Sequence, residues 1–185
     1  ANDCIEDCGE NIITSIPFES AGNTVCLPNI TGNPAGDFVY QLSLDETARI
    51  DISLCSENTN FDPFLRVFDG CPLDTLVNQI IYNDDGPVCE IDSAYYEPSQ
   101  ITNLELAPGE YSIVIDGYGW SEGDFGMSIT YSLFEDCDSA IFDYSQYHLY
   151  DNGQCNNGDA GDPNLNCGEW NFDGGDCSGD IGPDL

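Results

Sequence analysis

From Phe38 to Leu133 hydrophobic and polar residues alternate in short runs, as in Ala48-Arg49-Ile50-Asp51-Ile52-Ser53, and helix signals are almost absent. Alternation with a period of two puts every second side chain on the same face of a strand. The runs predict strands over Phe38–Leu44, Arg49–Leu54, Phe64–Phe68, Gln79–Tyr82, Gln100–Leu106, Tyr111–Asp116 and Phe125–Leu133. Turn residues separate them: Asp69-Gly70, Asp84-Asp85-Gly86-Pro87, Ala107-Pro108-Gly109 and Asp116-Gly117. Glycine, proline and aspartate favour turns for distinct steric and hydrogen-bonding reasons. Seven or eight strands at this spacing predict an all-β fold, a jelly-roll-like antiparallel β-sandwich.

The texture changes after Leu133. From Asp136 onward Asn, Asp, Gly and Cys dominate, strand formers are few, and Cys137, Cys155, Cys167 and Cys177 follow one another closely. A segment this small buries too little apolar surface to stand alone, so disulfides or a metal must hold it. The expected organisation is an N-terminal segment 1–9, a β-sandwich domain 10–135, a Cys/Asp-rich knot 136–178 and a tail 179–185.

Composition sharpens this picture. Hydrophobic residues make up 41% of the 185, enough for a real core. No apolar run is long enough to span a membrane, so membrane insertion is not expected. The chain opens Ala1-Asn2-Asp3-Cys4, as a secreted protein does once its signal has been removed. Thirty-five acids face two bases, Arg49 and Arg66, for a net charge of −33. Such a chain repels nucleic acid, anionic lipid and itself, and compaction calls for salt or bound cations. Ten cysteines with one histidine and no CxxC pair fit disulfides in an oxidising compartment better than zinc. Cys71 and Cys89 flank a single predicted strand and its turns, which suggests that they pair. Asn29-Ile30-Thr31 is a sequon, making Asn29 a candidate for glycosylation.

The candidate chemistry is concentrated in "WNFDGGDC", Trp170 to Cys177. Calcium takes six to eight hard oxygens from carboxylates, amide carbonyls and backbone. Gly174-Gly175 lets the chain curl so that Asp173 and Asp176 face one centre. Asp151, Asn152, Asn156 and Asp159 are the nearby sources of further oxygens. The alternative is a solvated acidic loop stapled by disulfides. A second acidic cluster, Asp62, Asp69, Asp84, Asp85 and Asp116 with Glu122 and Asp124 near a hairpin, falls at predicted strand ends, and Asp62, Asp84 and Asp85 are its candidate calcium ligands.

Two segments resemble known families. "GDFVYQLSLDETARIDISLC", "NFDPFLRVFDGC", "YNDDG" and "LAPGEYSIVIDGYGWSEGDFGMSITY" follow, in that order, the pattern of bacterial pre-peptidase C-terminal domains over roughly residues 10–134. The resemblance implies a non-catalytic sandwich that accompanies secreted enzymes and surface proteins. "YDNGQCNNGDAGDPNLNCGEWNFDGGDC" resembles the Lin12-Notch repeat, with four cysteines where that family has six. This resemblance implies calcium ligands at Asp173 and Asp176 and an acidic or amide ligand near Cys155. It also suggests a Cys155–Cys177 bridge, which leaves Cys137–Cys167 as the other.

Gly119-Trp120-Ser121-Glu122-Gly123 fits the G-x-S-x-G nucleophile elbow, but an elbow needs a helix after it and "GDFGMSITYSL" reads as a strand. No enzyme is expected. Tyr95, Tyr96, Tyr118 and Trp120 fall in predicted loops, and Tyr118 and Trp120 are candidates for binding a sugar or protein through their rings, the alternative being core edges and cross-strand pairs. The expected function is a secreted calcium-binding structural protein, self-assembling into an extracellular filament, tubule or surface layer. An extended terminus laid on an exposed sheet edge of the next copy would build such a polymer. The alternative is a monomeric glycan- or protein-binding accessory module of a larger secreted protein.

Overall fold

The computed structural model describes Cys8 and residues 11–73, 77–86 and 98–177. The chain divides into two units, Ala1–Thr130 and Tyr131–Leu185.

The first unit is a β-sandwich. Its strands are β1 (Ile12–Ile13), β2 (Phe18–Asn23), β3 (Phe38–Leu44), β4 (Ala48–Ser53), β5 (Pro63–Asp69), β6 (Asn78–Asn83), β7 (Gln100–Leu106), β8 (Gly109–Gly117) and β9 (Asp124–Tyr131). One sheet runs β1-β3-β8-β5-β6 and the other β2-β9-β4-β7. The pairings of β3 with β8, β8 with β5, β5 with β6, β2 with β9 and β4 with β7 are antiparallel. The two-residue β1 joins β3 in parallel.

The alternation read in the sequence becomes the core. Ile50, Ile52, Leu65, Val67, Ile113, Ile115, Phe125 and Ile129 are fully buried. Burying one such side chain stabilises the fold by about 1.5–3 kcal/mol. Phe125 of β9 meets Phe38 and Tyr40 of β3 edge-to-face, which locks one sheet onto the other. Gly22 of β2 lies under that cluster. A Cβ there would stand 2.5 Å from Phe125 Cζ, so only glycine lets β2 pass.

The predicted strand Phe125–Leu133 is two strands. β9 ends at Tyr131, and β10 (Leu133–Glu135) pairs antiparallel with β11 (Ile141–Asp143) inside the second unit. The break sits at buried Ser132, whose carbonyl accepts from Tyr144 N. Short 3-10 helices at Tyr144–Leu149, Asp159–Gly161, Gly168–Trp170 and Asp173–Gly175 make up much of the rest of that unit. Trp170 packs edge-to-face on Phe134 and donates Nε1–H to Glu135 O.

Three disulfides have both partners among the described residues: Cys8–Cys71, Cys137–Cys167 and Cys155–Cys177. The expected Cys71–Cys89 bridge is therefore incorrect. Cys71 finds its partner 63 residues back, because a cysteine pairs with what folding brings near and not with its neighbour along the chain. Cys89 itself, like Cys4, Tyr95, Tyr96, segment 1–7 and tail 179–185, lies outside the described residues. Cys55 is also disulfide-bonded, and Cys26 is free and exposed.

Candidate metal centres

The C-terminal unit builds its acidic loop on left-handed backbone. Asn171, Phe172, Asp173, Gly174 and Gly175 have φ values of 49°, 54°, 57°, 65° and 112°. Left-handed backbone costs a residue with a Cβ about 1–2 kcal/mol, so three in succession must be held from outside. Phe172 N donates to Cys167 O at 2.8 Å and Asp173 N to Leu165 O at 2.9 Å. The Cys155–Cys177 bridge closes the end of the run. Gly174 does two jobs, since a Cβ on it would also stand 2.5 Å from Asp151 Cβ.

This curl turns two carboxylates onto the loop that carries the other candidates. Asp173 is 0% exposed; its Oδ1 accepts from Asp151 N at 3.2 Å and its Oδ2 from Asn156 N at 2.8 Å. Asp176 Oδ2 accepts from Gly153 N at 2.6 Å. The Asn156 side-chain nitrogen faces Gln154 O at 2.8 Å, Leu149 O at 2.9 Å and Asp173 Oδ2 at 3.1 Å, and donating to them braces the loop. The carboxylates of Asp173 and Asp176 are hard oxygen donors of the kind calcium takes.

Asp151, Asn156, Asp173 and Asp176 are thus brought into one loop cluster. Asn152 is engaged locally, its Oδ1 accepting from Gln154 N at 2.9 Å. Asp159 opens the 3-10 turn Asp159–Gly161, and no described contact joins it to the cluster. Asp136, which sequence reasoning passed over, is the buried anchor of the unit. Its Oδ1 accepts from Asp138 N and Ala140 N, and its Oδ2 from Asn164 N. Burial pushes its carboxyl upward, but those three N–H groups outweigh burial and hold it below the ordinary range.

The sandwich supplies the second centre. β5 and β6 pair antiparallel with Leu65 opposite Asn83, so the start of one meets the end of the other. Asp62 precedes β5, and Asp84-Asp85 comes directly after β6. Ligand oxygens of Asp62, Asp84 and Asp85 all lie within 4.8 Å of one another. Asp84 Oδ1 is buried with no hydrogen-bond partner. Burial, then the charges of Asp85 and Asp62, push the Asp84 carboxyl above its ordinary value, against the pull of Arg66.

Beside this cluster, Tyr118 N donates to Asp62 O at 2.9 Å and Ser121 Oγ accepts from Asp62 N at 3.1 Å. The loop these bonds hold presents Tyr118 and Trp120 at 57% and 81% exposure. The chain runs from Ser121 into β9, a strand where a nucleophile elbow needs a helix. Asn29 is exposed, and its side chain donates to Asn33 O.

No family model and no curated protein matches the chain. Among solved structures, it resembles the pre-peptidase C-terminal domain of a collagenase from Bacillus anthracis. That domain is 18% identical, over 65% of this chain and 93% of its own length, with a TM-score of 0.43. A likeness of that degree assigns neither ligand nor activity to this chain.

Proposed function

We propose that the protein is a secreted, calcium-binding structural module, held by disulfides and not catalytic. The observation that carries this reading is the cluster of Asp62, Asp84 and Asp85, whose ligand oxygens lie within 4.8 Å of one another, with Asp84 Oδ1 buried and without a hydrogen-bond partner. The loop of Asp173 and Asp176 supports a second calcium position. Charge supports both. Arg49 pairs with Glu105 at 2.6 Å and Arg66 with Asp116 at 3.2 Å, so both of the chain's basic side chains already have acidic partners. Calcium titration by calorimetry and thermal unfolding tests the reading. A ligand at a hundred times its Kd raises stability by about 2.7 kcal/mol. The melting temperature is expected to rise with calcium, to fall back in EGTA, and to respond less in Asp173→Asn and Asp84→Asn. An unchanged melting temperature with no heat of binding would overturn it.

Self-assembly is the larger role this module fits. Among the described residues β6 ends its sheet, and its Ile80, Ile81 and Tyr82 are exposed at 41%, 37% and 58%. An apolar edge strand offers unpaired backbone groups to an extended segment of another copy. Negative-stain images should show polymer with calcium that loosens in EGTA; monodisperse monomer in both conditions would count against assembly. The exposure of Tyr118 and Trp120 favours a second reading, a monomeric module that binds glycan or protein. Ligand binding lost in Trp120→Ala would mark that outcome.

A further inference from the structure

The most deeply buried acids of the sandwich belong to neither metal centre. Asp37 and Asp116 are both 0% exposed. Asp116 stands on β8 and meets Arg66 of β5, whose Nε and Nη2 lie 3.3 and 3.2 Å from its Oδ2. Asp37 closes a strap, residues 28–37, that leads into β3. Its backbone N donates to Pro28 O at 3.0 Å, and its Oδ2 accepts from Ile30 N at 2.5 Å and Thr31 N at 2.6 Å. The strap is pinned to the sandwich by Asn33 N on Asp116 Oδ2 and by Gly36 N on Glu122 Oε1.

The hydrogens do not add up if both acids are ionised. Thr31 Oγ1 lies 3.0 Å from Asp37 Oδ1 and 3.3 Å from Asp116 Oδ2, yet a hydroxyl has one hydrogen. The chain closes if Asp37 is protonated. Asp37 then donates to Thr31 Oγ1, Thr31 donates to Asp116 Oδ2, and Asp116 keeps its charge against Arg66. The alternative leaves two buried carboxylates against one guanidinium, with Glu122 close behind the strap. Burial in low dielectric penalises that state severely.

We propose that the strap is a proton-operated latch, locked when a proton on Asp37 lets Asp37 donate to Thr31 and Thr31 donate to Asp116, and loosened when the Asp37 proton leaves. The electrostatics agree. Burial first, then the charge of Asp116, raises the Asp37 carboxyl from 3.8 to about 6, against the hydrogen bonds from Ile30 and Thr31. If the free strap restores the ordinary value, opening becomes up to about a hundredfold more favourable between pH 4 and pH 8. Asp37→Asn mimics the locked state, since its amide can donate to Thr31 Oγ1 at every pH.

The test is amide hydrogen exchange at Ile30 and Thr31 in the full chain, at fixed excess calcium and corrected for intrinsic rates, with a carboxyl-carbon NMR titration of the wild type. The latch predicts protection that falls by one to two orders of magnitude across that range in the wild type. Protection in Asp37→Asn should stay flat, and one buried carboxyl should titrate near 6. Protection independent of pH in the wild type, the same pH dependence in Asp37→Asn, or an Asp37 carboxyl in the ordinary range would each overturn it. The carboxyl titration decides even if the variant fails to fold.

Discussion

Buried aspartates in this protein fall into two kinds, separated by what each carboxylate accepts. Asp136 is surrounded by three backbone N–H groups and is held below its ordinary range. Its stabilisation is full above the unfolded pKa and is lost as pH falls through the lower folded one. Asp37 is the opposite case. Its folded value of about 6 lies above 3.8, so its favourable state exists in acid and stability declines as pH rises through that window. Asp84 and Asp116 are raised as well and act with the same sign. In EGTA the melting temperature is therefore expected to peak in mild acid, between 3.8 and about 6, rather than at neutrality. A maximum at pH 7 or above would contradict this assignment of signs. Asp136→Ala removes the carboxylate shared by three part-buried N–H groups, and a hydrogen bond to a charged group is worth about 1.5–3 kcal/mol. It should lower the melting temperature strongly at pH 7 and least in strong acid, as a pH series of unfolding curves would show. None of this is legible in sequence, where a buried aspartate reads like any turn aspartate.

At the scale of elements, strands with large side chains announced themselves and strands with small ones did not. β3, β5 and β8 alternate Val, Leu, Ile and Phe with polar residues, and the pattern located them to within a few residues. β2 reads Phe-Glu-Ser-Ala-Gly-Asn, with Gly22 where an apolar side chain would signal a strand. That glycine is required because Phe125 fills the space above it. Gly22→Ala is accordingly expected to destabilise by about 1–3 kcal/mol, the usual penalty for overpacking, measured by denaturant unfolding. An effect under about 0.5 kcal/mol, the size of an ordinary surface change, would mean that Phe125 moves aside freely. The acidic cluster of the sandwich was legible as residues, Asp62, Asp84 and Asp85, but the antiparallel register of β5 and β6 is what brings them together. The pairing of Cys8 with Cys71 was beyond reach for the same reason, since it depends on the fold and not on spacing.

For the whole molecule the ruling quantity is the net charge of −33. Like charges on a compact body repel, and salt relieves that repulsion. Stability should rise with sodium chloride, and rise further with calcium chloride at matched ionic strength, because bound calcium acts locally as well as by screening. Equal melting temperatures at matched ionic strength would leave screening as the whole effect. The two arginines sit within strands β4 and β5, and the chain has no lysine. A protease that cuts after basic residues thus has two target bonds in 185 residues, both in paired sheet backbone that must unfold before it can be cleaved. Trypsin therefore becomes a gauge of sheet unfolding for this protein, silent only while both sheets hold, and reagents that attack lysine amines find no lysine side chain to modify.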